Sequence, residues 1–164
     1  MEGFIMREKT CCFTGHREIP KNQYRQIANK TEKAVEMLIK QGYTLFCAGG
    51  ALGYDTIAEK AVLNLKKKYA HIQLILILPC LTQTARWNDS DKDIYEDIKA
   101  RADKVIYTSQ NYTRFCMHVR NRYLVDGSSA CICYLTQEKG GTVYTVKYAE
   151  KNNLKIINVA NQED

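Results

Sequence analysis

The sequence predicts an α/β protein, a single domain of three layers in which a mostly parallel sheet of about six strands carries helices on both faces. Short apolar segments alternate with longer segments of helical periodicity, the pattern of βαβ crossovers. Several apolar segments are continuous, as expected for strands covered on both faces. No linker, repeat or low-complexity segment divides the chain, so we expect one domain over residues 1–164.

The first half of the chain supplies three strands and two helices. Strands are predicted over the apolar runs at residues 10–15, 43–48 and 72–78. Apolar side chains recur at steps of three and four in the segments between them, which predicts helices over residues 22–41 and 55–68. Gly42 is placed to end the first helix, and Pro79 stops the third strand.

The second half repeats the alternation. Helical patterns are predicted over residues 93–102, 113–124 and from 141 or 142 to 151. Apolar runs predict strands over residues 104–109, 130–135 and 154–159. Each strand is therefore followed by a helix until the last, which favours parallel pairing throughout.

Composition sets the class of protein. Hydrophobic residues make up 45% and charged residues 26%, which is typical of globular proteins. The net charge of +6 favours anionic partners, but its basic residues are dispersed, so we expect nucleic acid to be an unlikely partner. No signal-peptide pattern and no membrane-length apolar run are found, so we expect a cytoplasmic protein without membrane contact.

Seven cysteines are scattered through the chain without C-x-x-C spacing. Most of them fall in predicted strands, which favours reduced, buried thiols. Cys80 and Cys116 are the two that could face a cleft. Since neither cysteine nor histidine clusters at ligand spacing, we expect no metal site.

The carboxyl ends of parallel strands lie at one edge of a sheet, where ligands of such folds bind. Two glycine-rich segments, 49–53 and 140–141, follow predicted strands and enter helices, whose free amide groups favour anions. A Thr-Gly-His-Arg turn follows the first strand. Together they predict a site for a small phosphate-containing or nucleotide-like ligand, with the candidate residues Gly15, His16, Arg17, Gly49, Gly50, Ala51, Gly53, Asp55, Pro79, Trp87, Arg120, Asn121, Gly140, Gly141 and Thr142.

For three of these candidate residues, the sequence allows either a ligand-binding role or a structural role. His16 either contacts the ligand or bonds to the backbone, and Asp55 either caps free amides or binds a ribose hydroxyl. Trp87, the single tryptophan, either stacks on a base or covers the core. Arg17 is expected to bind phosphate through its planar fork. Arg120 lies among apolar neighbours in its predicted helix, so we expect it to face a cleft and treat it as the candidate catalytic residue.

The segments "CCFTGHR", "FCAGGALGYDTIAEKAVL", "PCLTQTARW", "MHVRNRYLVD" and "GGT" resemble, in this order, the YpsA-like family. That family is similar to the DNA-processing protein DprA and the "lonely guy" phosphoribohydrolases. The resemblance implies a Rossmann-like fold, binding of a nucleotide-derived ligand, and a possible homodimer. The resemblance implies that no cofactor is required. The ligands it suggests are a bound nucleotide, an NAD-derived molecule or an ADP-ribose-like molecule.

The resemblance to the hydrolases is incomplete. Arg120 falls on their active-site arginine, but Asn121 replaces a lysine and Thr145 stands where they have a glutamate. Without that carboxylate the cationic sugar of the reaction loses its stabilising charge. We therefore expect first a binding or sensing module, second an enzyme that cleaves a nucleotide N-glycosidic bond, and third a DprA-like protein that binds single-stranded DNA.

Overall fold

A computed structural model describes residues 6–161, and within them six strands form one parallel sheet. The strands are β1 Thr10–Gly15, β2 Leu45–Ala48, β3 Gln73–Leu78, β4 Lys104–Tyr107, β5 Ala130–Tyr134 and β6 Lys155–Asn158. The α-helices are α1 Tyr24–Lys40, α2 Tyr54–Lys66, α3 Asp89–Arg101, α4 Cys116–Asp126 and α5 Gly141–Lys151. The strand order β4-β3-β2-β1-β5-β6 and the three layers confirm the predicted Rossmann-like α/β fold.

Alternating side chains of the strands build two cores, one on each face of the sheet. One face carries Phe13, Phe46 and Leu76 and packs against α1, α2 and α3. The other face packs against α4 and α5 and is rich in cysteine, with Cys12 paired in register with both Cys47 and Cys131. Because β1, β2, β3 and β5 are buried on both faces along most of their length, their sequences are continuous apolar runs, whereas the edge strands β4 and β6 are only partly buried.

Three helix starts differ from the prediction by two residues or more, and one of them is α4, which begins at Cys116, three residues later than predicted. Residues Lys21–Gln23 form a short 3-10 turn, so α1 begins after them. Helix α3 begins four residues earlier than predicted, because the side chain of Asn88 accepts a hydrogen bond from the Asp91 amide at 2.8 Å. This N-cap satisfies one of the free amides of the first turn and fixes where the helix starts.

All seven cysteines are buried and unpaired. Cys80 and Cys116 are 0% and 1% exposed, so neither faces a cleft, contrary to the expectation from sequence. Cys80 lies two residues past the end of β3 and Cys116 is the first residue of α4, and the side chains packed around these positions bury both. Burial raises the pKa of the Cys133 thiol to about 12, and it raises the pKa of Cys47 further, so these thiols stay protonated.

The order of strands reverses at β1. From β1 the chain proceeds outward through β2 and β3 to β4, then crosses the sheet to β5 on the other side of β1. At such a switch point the flanking connections lie on opposite faces, which leaves a crevice at the strand ends. Among the described residues, no helix combines the length and the apolar character needed to cross a membrane.

Candidate functional site

A cleft of about 540 Å³ lies at the switch point. Its walls come from the end of β1, the loop before α2, the first turns of α4 and the loop that enters α5. The lining residues are Phe13, Thr14, Gly15, His16, Arg17, Glu18, Ala51, Asp55, Met117, His118, Arg120, Asn121, Gln137, Lys139, Gly140, Gly141 and Thr142. The fold thus gathers segments that are more than a hundred residues apart in sequence.

Arg120 reaches the base of the cleft from α4 and is only 4% exposed. Its Nη1 donates a hydrogen bond to the carbonyl of Gly49, and its Nε donates to Oδ1 of Asn121 at 2.7 Å. A Cβ on residue 49 would overlap the guanidinium group, so glycine is needed there for the close approach. Arg120 therefore lines the cleft and at the same time holds the loop after β2.

Two carboxyl groups on α2 are buried beside this loop. Oδ2 of Asp55 accepts a hydrogen bond from the Ala51 amide at 3.1 Å, and Oε2 of Glu59 accepts one from the Gly50 amide at 3.1 Å. Burial raises the pKa of Asp55, an effect that the nearby charge of Arg120 partly offsets. Burial also raises the pKa of Glu59, well above its usual value, and the charge of Asp55 adds to it.

The sequence analysis did not identify Glu59. One signal was available, because Glu59 lies four residues after Asp55 and therefore on the same face of α2. That face is the apolar one, with Ile57, Ala58 and Val62 buried around it. A carboxyl group in such a position needs a local partner, and the amide of Gly50 supplies it.

The loops after β1 and β2 are joined at the start of α2. The Tyr54 amide donates to the carbonyl of His16 at 3.0 Å. Gly53 has a φ of +78°, and a Cβ there would overlap the carbonyl of Arg17. Both the left-handed conformation and the contact require glycine, so this residue sets how the Arg17 turn meets the cleft.

His16 bonds to the backbone on the opposite side of the cleft. Its Nε2 accepts a hydrogen bond from the Thr136 amide at 2.9 Å, which ties the β1 loop to the loop after β5. Burial lowers the pKa of His16, which favours the neutral ring with its proton on Nδ1. His16 therefore bonds to the backbone, which was one of the two alternatives considered from the sequence. His16 also lines the cleft, so its Nδ1 is a candidate donor to a ligand there.

Helix α5 begins at the cleft without a side-chain cap among the described residues. Gly141 and Thr142 line the cleft, and no atom lies within 4 Å of the position that a Cβ on Gly141 would take. The hydroxyl of Thr145 donates to the carbonyl of Gly141 at 2.9 Å and is buried. The position at which the hydrolases carry a glutamate thus holds a hydroxyl that is bonded within its own helix.

The structure divides the predicted site residues into three groups. Ten of them line the cleft: Gly15, His16, Arg17, Ala51, Asp55, Arg120, Asn121, Gly140, Gly141 and Thr142. Three others, Gly50, Gly53 and Trp87, line a second cavity of about 210 Å³. Gly49 and the buried Pro79 line neither. The loop after β2 separates the two cavities, because Ala51 lines the cleft whereas Gly50 and Leu52 line the second cavity.

Several cleft residues were not predicted, among them Gln137, Lys139, Met117 and His118. Lys139 directly precedes a predicted glycine pair, and Met117 and His118 begin the segment "MHVRNRYLVD" that carries the family resemblance, so a usable signal existed for these three. Asp126, the last residue of α4, accepts a hydrogen bond from Tyr148 at 2.7 Å. Of Asp55 on α2 and Asp126 on α4, it is Asp55 that lines the cleft.

Within residues 6–161, no three His, Cys, Asp or Glu side chains form a metal-binding group.

Comparison with known sequences identifies relatives. A family model named YpsA, described as the YspA SLOG family, matches residues 11–162. A UPF0398 protein of Halalkalibacterium halodurans is 31% identical over 123 residues, which are 73% of this chain and 65% of that protein. The SPbeta prophage-derived protein YoqJ of Bacillus subtilis is 30% identical over 131 residues, 73% of this chain and 77% of that protein.

Solved structures of DNA processing protein A have the same fold. The protein from Helicobacter pylori, whose single-stranded DNA binding mode has been described, matches with a TM-score of 0.66 and 17% identity. The match covers 93% of this chain and 66% of that one. The protein from Streptococcus pneumoniae matches with a TM-score of 0.66 and 15% identity, over 93% of this chain and 50% of that one. This chain thus spans less than two thirds of either DprA chain and of the H. halodurans protein.

The expectation that nucleic acid is an unlikely partner is wrong, since a protein of this fold binds single-stranded DNA. That expectation rested on the modest net charge of the whole chain. Net charge averages over the molecule, whereas binding depends on charge at one place. The fold brings Arg17, Arg120 and Lys139 to one cleft from three distant segments.

Proposed function

Because the chain belongs to the YspA SLOG family, we propose that its cleft binds a small nucleotide-type phosphate ligand and that the protein acts as a binding or sensing module. The observation that carries the proposal is the uncapped start of α5, which faces a cleft large enough for a nucleotide. Free amide groups and the positive end of the helix dipole favour an anion there.

The phosphate has partners on both sides of this helix start. Gly140 and Gly141 are exposed, and open space surrounds the position that a Cβ would take on either, so a ligand can approach their backbone closely. Arg17 and Lys139 are exposed and line the same cleft, so both side chains are free to move onto a phosphate. These contacts would place the phosphate between the β1 turn and α5.

The sugar of the ligand would lie toward the base of the cleft. Asp55 offers carboxylate oxygens as acceptors for ribose hydroxyls, and the amide nitrogen of Asn121 offers a donor. Asn121 already uses its Oδ1 to accept from Arg120, which orients that nitrogen. No carboxylate stands at Thr145, so the arrangement supports binding better than hydrolysis.

A thermal-shift and calorimetric titration with AMP, ADP-ribose and NAD tests the proposal. We expect at least one of them to raise the melting temperature, since it binds the native state alone. Adenosine, which lacks phosphate, should bind at least tenfold more weakly than AMP. Arg17→Ala should weaken the binding about tenfold, whereas Arg25→Ala, an exposed arginine of α1 outside the cleft, should not. Equal binding of adenosine and AMP, or no shift with any ligand, would refute the proposal.

The same incubations distinguish a binding module from an enzyme. Release of free adenine from AMP, abolished by Asp55→Asn, would replace the proposal with N-glycosidic hydrolysis. Intact AMP after prolonged incubation at high protein concentration supports binding without turnover.

A second candidate function is binding of single-stranded DNA, which one surface favours. The aromatic–arginine surface consists of Phe115, His118, Arg122, Tyr144 and Tyr148, and it adjoins the cleft at His118. Phe115 is 59% exposed and Tyr144 is 38% exposed. Exposed rings beside cations form the platforms on which bases of a single strand stack.

The arginine of this surface is held in place by the rings. Nη2 of Arg122 donates to the Tyr144 hydroxyl at 2.6 Å, and its guanidinium lies 5.0 Å from the centre of the Tyr148 ring. A strand with one phosphate in the cleft could therefore continue over Phe115 and Tyr144. Its backbone would then pass Arg122, which contributes both charge and a planar face.

Fluorescence anisotropy with a labelled oligothymidylate tests this candidate. We expect binding that weakens steeply between about 50 and 200 mM salt, because phosphate contacts release counterions. The double variant Phe115→Ala/Tyr144→Ala should weaken binding about tenfold or more, at roughly 1–3 kcal/mol per stacked base. Met37→Ala, an exposed side chain on α1, is the control. Binding without salt dependence, or unaffected by the double variant, would argue against the surface.

A further inference from the structure

We infer that the second cavity, between the loop after β2 and helix α3, is a separate site for a planar aromatic heterocycle that carries an N–H donor beside an acceptor, the chemistry shared by nucleobases and nicotinamide. The cavity is lined by Tyr24, Gly50, Leu52, Gly53, Thr56, Glu59, Lys60, Trp87, Asp91, Ile94, Tyr95 and Ile98. The inference does not depend on the ligand proposed for the cleft.

The size and walls of this cavity suit a single ring system. Its volume of about 210 Å³ is below the roughly 300–1,000 Å³ of sites for whole drug-sized ligands. Trp87 and Tyr95 meet edge to face with their ring centres 5.4 Å apart, and Ile94 and Ile98 come from the same helix as Tyr95. Aromatic rings in this arrangement offer both a face and an edge to a flat guest.

Glu59 is the buried one among the polar side chains at the cavity, whereas Thr56 and Asp91 are half-buried and Lys60 is exposed. Glu59 is 3% exposed, and only its bond from the Gly50 amide is defined, through one carboxyl oxygen. A carboxyl group that retains its proton presents a donor and an acceptor side by side. Such a pair matches the edge of a purine or of a carboxamide, which also has a donor next to an acceptor.

The side-chain amide of Gln83 lies beside the wall that Gly50 forms, although Gln83 does not itself line the cavity. The side-chain nitrogen and oxygen of Gln83 are both inaccessible to solvent, and neither makes a hydrogen bond of ordinary geometry within the described chain. The nitrogen lies 3.3 Å from the position that a Cβ on Gly50 would take. Its other neighbour is Tyr95, which it approaches too loosely for a hydrogen bond of ordinary geometry: burial raises the pKa of Tyr95, and this polar contact with Gln83 partly lowers it again.

Leaving a buried amide unpaired costs about 1–3 kcal/mol, so its retention calls for a reason. Gly50 and Tyr95, the two neighbours of this amide, both line the cavity. A heterocycle with complementary edge groups would supply what the amide lacks. Glu59 and Gln83 would thus read the edge of the ring, while Trp87 and Tyr95 hold its face.

The single tryptophan makes the test direct, because Trp87 reports on this cavity alone. Free adenine and free nicotinamide are titrated while tryptophan fluorescence is recorded. We expect a saturable change with at least one of them and none with ribose 5-phosphate, which lacks the ring. Gln83→Leu should weaken the binding about tenfold or more while the protein stays folded, since it removes an unpaired amide from the interior.

Gly141→Ala, which alters only the cleft, is the matched control and should leave the fluorescence titration unchanged. No saturable change with either ring, an equal change with ribose 5-phosphate, or unaltered affinity in Gln83→Leu would overturn the inference. The outcome is separable from the cleft proposal. If Trp87 fluorescence responds to adenine but AMP does not stabilise the protein, the second cavity is supported and the cleft proposal is not. If AMP stabilises the protein but Trp87 does not respond, only the cleft proposal is supported.

Discussion

Arg120 acts mainly on the protein itself. Its guanidinium donates to the Gly49 carbonyl and to Asn121, and it is the positive charge beside the buried carboxyl groups of Asp55 and Glu59. Burial lowers the pKa of this arginine, whereas the two carboxyl groups raise it. Arg120 therefore supports the loop after β2 together with Asp55 and Glu59.

Arg120→Ala should lower the free energy of unfolding by about 3 kcal/mol, because it leaves two buried carboxyl groups without their cation. Asp55 and Glu59 can relieve this by binding protons, so the loss should be smaller at pH 5 than at pH 8. Urea unfolding at the two pH values measures both effects. Arg122→Ala, two positions along α4 and exposed, is the control. A loss that is equal at both pH values would show that the carboxyl groups do not sense Arg120.

Glu59 gives the native state a pH dependence of its own. Because burial raises its pKa in the folded protein, the folded state binds more protons than the unfolded state at intermediate pH. The stability linked to this group is full below its unfolded pKa and falls as pH rises toward the folded pKa. The glutamine in Glu59→Gln does not titrate, so this variant should not lose stability in this way as pH rises. Its side-chain oxygen still accepts the hydrogen bond from the Gly50 amide.

The stability of Glu59→Gln relative to the natural chain should therefore increase from pH 5 to pH 8, by about 1–3 kcal/mol if the charge is buried unrelieved. Urea unfolding at several pH values checks the sign. Glu32→Gln, in which the exchanged carboxyl group is bonded to Asn64 at an exposed position, should show no such trend. A relative stability that decreases with pH would contradict the raised pKa.

At the scale of elements, the sequence predicted the sheet well. Strands were recognisable because coverage on both faces makes them continuous apolar runs, and Gly42, with a φ of +100°, ends α1 as expected. The start of α3 was missed because an asparagine cap among exposed polar residues resembles a loop. The common edge was predicted from parallel topology alone, which places strand ends but not the path of the loops between them.

That limit explains why Trp87 and Gly50 line a different cavity from most of the other candidate residues. Both follow strands at the correct edge, yet the loop after β2 turns between α2 and the cleft and leaves them on its other side. Glu59 was missed for a related reason, since its partner is an amide nine residues away whose position only the folded loop defines. Side-chain identity and spacing carry no information on either point.

The start of α5 makes its own prediction, with a matched pair of glycines. Gly141→Ala meets open space and replaces glycine in a helix, so the stability should be unchanged or higher by up to about 1 kcal/mol. The methyl group enters the cleft, however, and the affinity for AMP should fall about tenfold. Gly53→Ala meets the Arg17 carbonyl at a φ of +78° and should cost roughly 1–3 kcal/mol of stability or more. Thermal melts and calorimetry distinguish the two; retained affinity in Gly141→Ala would remove α5 from the site.

At the scale of the whole molecule, the seven thiols report on the integrity of both cores. Cys11 lies on the face covered by α1 and α2, and four others line the face covered by α4 and α5. Cys80 and Cys116 lie at the ends of loops that border the cleft side. Every one is buried, so a thiol reagent reaches it only when the surrounding structure opens.

Labelling of the native protein with an aromatic disulfide reagent should therefore be slower than that of the unfolded chain by at least about a thousandfold, as expected for a global stability of about 5 kcal/mol or more. Because Arg120→Ala costs about 3 kcal/mol, it should accelerate labelling of the core cysteines roughly a hundredfold if they react through global unfolding. Peptide mapping of the labelled cysteines separates two cases. Uniform acceleration at all seven positions means that the loop after β2 and the sheet unfold together. Early labelling confined to Cys80 or Cys116 would mean that the cleft edge opens without the core, and would contradict a single cooperative unit.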